Sequence, residues 1–210
     1  MDKLRKDIAS FNGAVVIRSS SSLPKALSGI EDKPLLDRSI LKRGGVGCFI
    51  VGSHVKKTTQ QLNNLLNADE IEGLEVSVRE LLDNGERLLR KILDNIAEIA
   101  ADGQTPVVYT SREEVRLDDA DARQLLGQRV SDFLVSIAAN LPFTPSYLVG
   151  KGGITSHDIL TKGLGVHSAR VLGQIITSVP CVMTPEFPYI IFPGNVGDEH
   201  SLSDVYKKLA

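Results

Sequence analysis

From Gly44 onward, short apolar runs alternate with longer amphipathic stretches, and this alternation limits the possible folds more than any other feature of the chain. Residues 46–51 form an unbroken apolar run, and residues 74–78 alternate at period two. Residues 106–110 and 147–150 are short and apolar, and residues 189–192 close the series. Between these runs, Leu88, Leu89, Ile92, Leu93, Ile96 and Ile99 recur at helical spacing until Gly103. Leu125, Leu126, Val130, Phe133, Leu134 and Ile137 repeat in the same way. Period-two and fully apolar segments read as strands, and 3.6-period segments read as helices. Strands separated by helices of this length predict an α/β layered fold with a largely parallel sheet and helices on both faces. Thr58 or Thr59 can cap a helix reaching about Leu66. Residues 166–177 read as extended or mixed structure with a hairpin to residues 181–183, and a last helix is expected over Ser201–Leu209.

Residues 1–43 differ in character. A short amphipathic opening leads to a strand candidate at 14–18, a serine run at 19–22, a short helix around 23–27, and a linker carrying Pro34 and several charges.

Bulk properties exclude several partners. The 210 residues carry a formal net charge of −2 with no basic block, which argues against nucleic acid, because binding a phosphate backbone needs a positive field. Aromatic residues are 5% and tryptophan is absent, so base-stacking platforms are poorly supplied. No apolar run reaches the length of a membrane span, and the charged N-terminus leads into no apolar signal region. The expectation is a cytoplasmic protein with no membrane partner. Cys48 and Cys181 lie in separate apolar runs without metal-ligand spacing and read as buried reduced thiols.

Polar and glycine residues collect where apolar strands end, at Gly52-Ser53-His54, Thr110-Ser111-Arg112, Gly150-Lys151-Gly152-Gly153 and Pro193-Gly194-Asn195. In open α/β sheets ligands bind beyond the carboxyl ends of the strands, so parallel strands would bring these four turns together. The stretch from Lys151 to Asp158, echoed by Thr161-Lys162-Gly163-Leu164-Gly165, combines lysines, glycines and hydroxyls. Glycine lets backbone N–H groups approach an anion, lysine supplies charge, and a following helix offers its N-terminus. A phosphorylated ligand fits, although neither GxxxxGK[ST] nor a complete GxGxxG is present.

Other readings of the same residues stay open. Gly152 and Gly153 could form only a tight strand-to-helix turn, and Thr155 or Ser156 could be a helix cap. Lys162 reads as solvated, and Arg112 as a surface ion pair among Glu113, Glu114 and Arg116. His54 and His157 read as structural, and Asp198 reads as a Mg²⁺ ligand or as a turn or cap residue.

At these turns the chain resembles the C-terminal nucleotide-binding domain of the four-carbon acid sugar kinases. The resemblance rests on Gly52-Ser53-His54-Val55 with Thr58-Thr59, on Tyr109-Thr110-Ser111-Arg112, on Lys151 through Asp158, on Thr161 through Gly165, and on Phe192 through Asp198, in that order. It covers about residues 44–209. The family phosphorylates threonate, erythronate or 3-oxo-tetronate type acids with ATP. The resemblance implies ATP contacts at Ser53, Gly152, Gly153, Ile154, Thr155 and Gly194. From the chemistry of phosphoryl transfer, the 151–155 loop and Lys151 would hold the triphosphate, and Mg²⁺ would bridge its oxygens. Neither a protein ligand for the metal nor a catalytic base is identified. Family members are about twice this length and open with an Asp-Asp-Leu-Thr-Gly type motif in a sugar-acid-binding domain. Nothing of that kind occurs here. Residues 1–43 are therefore expected to be the tail of a preceding domain plus a connector, and residues 44–210 the nucleotide-binding domain. The acid would come through a missing domain or a separate chain, the chain alone would bind ATP or ADP and transfer phosphate poorly, and homo-oligomerisation is left open. Two rival readings are a nonenzymatic module sensing a nucleotide or sugar phosphate, and a sugar-phosphate isomerase or lyase using His54 or His157.

Overall fold

The computed structural model describes residues 2–19, 22–30, 33–112 and 119–210, in two compact units, Met1–Pro34 and Leu35–Ala210. The first unit holds helices α1 (Asp2–Ser10) and α2 (Ser22–Ser28). The strand expected at 14–18 does not form. A strand needs a neighbouring edge for its N–H and C=O groups, and no described residue pairs with this segment. Its side chains remain exposed, Val16 at 95%. Ser20 and Ser21 of the serine run lie outside the described residues.

The second unit is built on one seven-stranded sheet. Its strands are β1 (Cys48–Val51), β2 (Ile71–Val76), β3 (Thr105–Thr110), β4 (Leu148–Lys151), β5 (Arg170–Ile176), β6 (Val179–Met183) and β7 (Pro188–Phe192), in the order β2-β3-β1-β4-β7-β6-β5. The first five in that order run parallel, while β6 is antiparallel to both β7 and β5. The expected hairpin is β5–β6, and Ser178 turns it with a positive φ of 65°. At the other end of the unit, the Leu36 N–H donates to Gln174 O on β5 at 2.8 Å, and Leu36, Ile40 and Leu41 pack on the core.

Alternation along the strands sorts side chains to two faces. Phe49 and Val51 point to one layer, with Leu62 and Leu65 of α3 (Lys56–Leu65) and Leu202, Val205 and Leu209 of α7 (Ser201–Leu209). Cys48 and Ile50 point to the other, with Leu88, Ile92 and Ile96 of α4 (Val78–Ala101) and Phe133, Leu134 and Ile137 of α5 (Ala120–Ala139). Each such aliphatic side chain contributes about 1.5–3 kcal/mol on full burial. Both cysteines are free and buried, and burial pushes each thiol up to about 12.

Several boundaries move from their expected places for identifiable reasons. Strand β2 ends at Val76 because Ser77 caps α4, its hydroxyl accepting from the Glu80 N–H at 3.2 Å, so Val78 opens a helix. Val55, not Thr58 or Thr59, occupies the cap position of α3, and both threonines lie inside the helix.

Candidate functional site

The parallel pairing fixes where the strand-end turns go. Val51 lies opposite both Tyr109 and Lys151, and Lys151 lies opposite Phe192, so β3, β1, β4 and β7 finish level with one another. The chain leaves all four strands at the same sheet edge. A cavity of about 530 Å³ opens there, within the size range of small-ligand sites.

Gly152 shapes the floor of the cavity. Its φ of 127° lies where L side chains rarely go, and a Cβ would approach Thr155 Oγ1 at 3.0 Å. The Gly152 N–H donates to Phe192 O at 2.9 Å, which ties this turn to the end of β7. Helix α6 (Gly153–Asp158) starts immediately after it and then continues into a π-helical turn, Ile159–Gly163. Neither Thr155 nor Ser156 caps this helix, correcting that expectation. Ser156 instead donates back to Gly152 O at 2.6 Å, and α6 has no side-chain cap. The N–H groups of its first turn, from Gly153 to Thr155, are therefore left to donate to a ligand.

Five of the sequence-predicted residues, Ser53, Gly152, Gly153, Ile154 and Thr155, line this one cavity. Gly194 sits behind Ser53, where a Cβ would come 3.5 Å from Ser53 Oγ. Thr58 Oγ1 bridges the two, 3.1 Å from Ser53 Oγ and 3.2 Å from Gly194 O.

Lys151 is placed differently from the expectation. It is the last residue of β4 rather than the opening of a loop, it has no solvent exposure, and it does not line the cavity. Its Nζ donates to Pro193 O at 2.8 Å and Gly194 O at 3.1 Å and lies 4.1 Å from the centre of the Phe192 ring. Burial, helped by the nearby charge of Lys57, lowers the amine to about 8. No carboxylate pairs with either lysine among the described residues, and Lys57 Nζ likewise donates to Asn195 O and Gly197 O. The two amines hold the 193–197 turn in place through its carbonyls.

Arg112 also departs from the expected surface ion pair. Glu113, Glu114 and Arg116 lie outside the described residues, and the guanidinium turns inward. Its Nη1 donates to Ser53 O at 2.7 Å and its Nε to Thr110 O at 3.0 Å. Burial lowers its pKa, yet an arginine remains charged throughout the physiological range. Arg112 therefore brings positive charge to the cavity wall and fixes the Ser53 turn. Of the histidines, His54 lines the cavity and His157 does not. Lys162 pairs with Asp158 at 3.1 Å. Asp198 accepts from Ser201 Oγ at 2.8 Å and the His200 N–H at 3.0 Å, the bonding of a turn residue at the start of α7. Among the described residues, no three His, Cys, Asp or Glu side chains group to hold a metal.

One wall was not anticipated. Arg123, Leu126, Gly127, Val130, Ser131 and Leu134 of α5 run along the cavity, although their spacing reads as a core stripe. Gly127 carries the signal that could have marked it. A glycine inside a helix costs about 1 kcal/mol relative to alanine, and here an added Cβ would meet nothing within 4 Å.

Comparison with known proteins agrees with this architecture. No curated protein matches the chain significantly in sequence. A DUF1537 protein from Haemophilus influenzae superposes with TM-score 0.65 at 16% identity, covering 89% of this chain and 45% of that one. A protein from Salmonella typhimurium LT2 gives TM-score 0.61 at 18% identity, over 81% of this chain and 42% of the other. A DUF1537 protein from Bordetella bronchiseptica, solved as a domain-swapped dimer with bound citrate, gives TM-score 0.61 at 14% identity, over 80% and 42%. These likenesses establish the fold, and the chain spans less than half the length of each of these proteins. Residues 48–202 match the model of the nucleotide-binding C-terminal domain, with the glycine cradle, the Ser53 turn and the Gly194 turn all inside the match. The chain belongs to that family, the nucleotide-binding C-terminal domain.

Proposed function

We propose that the chain is the nucleotide-binding part of an ATP-dependent kinase acting on a four-carbon sugar acid of the threonate, erythronate or 3-oxo-tetronate type. The observation that carries the reading is the Gly152 cradle. Its backbone conformation is strained for any other residue, it is followed by uncapped N–H groups, and it faces a cavity of nucleotide size at the carboxyl edge of a parallel sheet.

The residues present fit a polyphosphate. N–H groups from Gly153 to Thr155 and the hydroxyls of Ser53 and Thr155 can donate to phosphate oxygens, and Arg112 adds positive charge at the cavity wall. Arg112, Thr58 and Lys151 hold the Ser53 and Gly194 turns in position. Such positioning and charge neutralisation are what phosphoryl transfer requires of a protein. Bound ATP would supply the phosphoryl group, and magnesium bound with it would neutralise phosphate charge. The apolar lining, Val55 and Val78 with the α5 wall, limits water around the bound nucleotide.

The sugar acid and the group that activates its hydroxyl are assigned to the part of the longer relatives that this chain does not span. A homo-oligomer is proposed by analogy with the domain-swapped Bordetella protein. Calorimetry with ADP and ATP tests the nucleotide reading. Saturable one-to-one binding is expected, and failure of both nucleotides to bind refutes it. Adding the sugar-acid-binding part in trans tests the kinase reading, because ATP consumption that depends on the acid should then appear. Turnover of a sugar phosphate without ATP, lost in His54→Ala, would favour an isomerase or lyase instead.

A further inference from the structure

The cavity is lined by two chemically different sets of residues. Gly52, Ser53, Gly152, Gly153 and Thr155 contribute polar and backbone groups to its lining, while Leu126, Val130 and Ile154 contribute apolar side chains beside Gly127. Ile154, on the first turn of α6, is 75% exposed and lines the cavity. On the α5 wall, Gly127 leaves open space where any other residue would place a Cβ. Those two features leave room for a flat apolar face against the helix backbone.

Ser131 lies one helical turn beyond Gly127 on the same wall. Its Oγ donates to Asp158 Oδ2 at 3.0 Å, and Asp158 is itself only 7% exposed and paired with Lys162 at 3.1 Å. A carboxylate accepts only, so this bond commits the single hydroxyl proton of Ser131. What Ser131 can offer a ligand is its lone pairs. A base edge carrying a donor suits it, and one carrying a carbonyl oxygen at the same place meets a second acceptor.

We propose that the slot between Gly127, Val130 and Ile154 takes the face of a 6-aminopurine, and that Ser131, oriented by Asp158, is the specificity-determining acceptor for its exocyclic amine. The inference rests on the nucleotide reading above and adds which residues read the base and discriminate its 6-amino group. Adenine and hypoxanthine differ at position 6, an amine in one and a carbonyl in the other, so ADP and IDP isolate the contact.

The test is calorimetry of the 210-residue chain with ADP, IDP and pyrophosphate, on wild type, Ser131→Ala and Gly127→Leu. Wild type should bind ADP on the order of tenfold more tightly than IDP, the discrimination expected of one buried hydrogen bond and its unpaired alternative. Ser131→Ala should bring that ratio close to one. Gly127→Leu, which places a good helix former on α5, should weaken ADP at least tenfold and leave pyrophosphate unchanged. An ADP-to-IDP ratio that survives Ser131→Ala, or equal loss of ADP and pyrophosphate in Gly127→Leu, overturns the base-reading assignment while leaving nucleotide binding intact. Absence of all three ligands from wild type overturns the nucleotide reading itself, and this proposal with it.

Discussion

Replacing Lys151 by methionine keeps an unbranched side chain over Phe192 but removes the amine that Pro193 O and Gly194 O accept from. Gly194 O keeps its bond from Thr58, whereas Pro193 O is left without this donor. An unsatisfied carbonyl costs about 1–3 kcal/mol, but removing the charged amine also relieves the desolvation that lowers its pKa. At pH 7 the two offset, so Lys151→Met should fall behind wild type mainly as pH rises. The pH dependence is the sharper part of the prediction. Burial lowers the folded amine from 10.5 to about 8. Between those values the unfolded chain holds the proton and the folded chain does not, so stability must rise with pH across this window. At 1.36 kcal/mol per pKa unit the gain is about 3 kcal/mol, and screening by solvent at the nearby turn lowers it to about 1–3 kcal/mol. A neutral amine still has two protons to donate, so both carbonyls stay paired as the charge is lost. Burial of Cys48 and Cys181 acts in the opposite direction, because raised thiols favour unfolding as pH climbs. The difference between wild type and variant cancels that contribution. Urea denaturation of both proteins at pH 7, 8.5 and 10 should therefore show the deficit of Lys151→Met widening by about 1–3 kcal/mol. A deficit that stays constant or shrinks would mean the amine is not buried as described.

Other substitutions probe the cradle. Gly152→Ala forces a Cβ into a backbone region that costs about 1–3 kcal/mol and brings it against Thr155, so the melting temperature should fall and ADP binding should be lost together. Retention of full ADP affinity in a folded Gly152→Ala would show that this turn is not at the ligand. Arg112→Ala removes the donor to Ser53 O and the charge beside it, which should weaken ADP by about tenfold or more, an effect that diminishes at high salt. A purely structural Arg112 would lower stability without changing affinity.

The parallel α/β layering was legible because Cys48–Val51, Thr105–Thr110, Leu148–Lys151 and Pro188–Phe192 are short apolar runs between long amphipathic ones, a pattern that admits few topologies. Convergence of the strand ends followed from that layering alone. Local bonding that competes with period was harder to read. Ser77 could belong to a strand or cap a helix, and only the Glu80 N–H decides it. Residues 14–18 carry a strand's composition, but pairing is a property of the fold and not of the segment. Lys151 misled for a related reason. In sequence it adjoins two glycines and looks like part of their loop, yet strand pairing with Val51 and Phe192 carries it into the interior. Arg112 stood among charged neighbours, and nothing in its surroundings revealed that its guanidinium would reach Ser53 O, 59 residues away in the chain. The α5 wall was hidden because a cavity-lining stripe and a core-facing stripe have the same period, and only Gly127 breaks the pattern.

The proposed kinase reaction requires a polyphosphate lying in the cradle where β1, β4 and β7 end. A crystal structure of the chain grown with ADP tests that most directly. The prediction is density for the phosphates against the N–H groups of Gly153 to Thr155, with Ser53 beside them and the base toward Gly127. Ordered ADP bound elsewhere on the molecule, with this cavity empty, would contradict it.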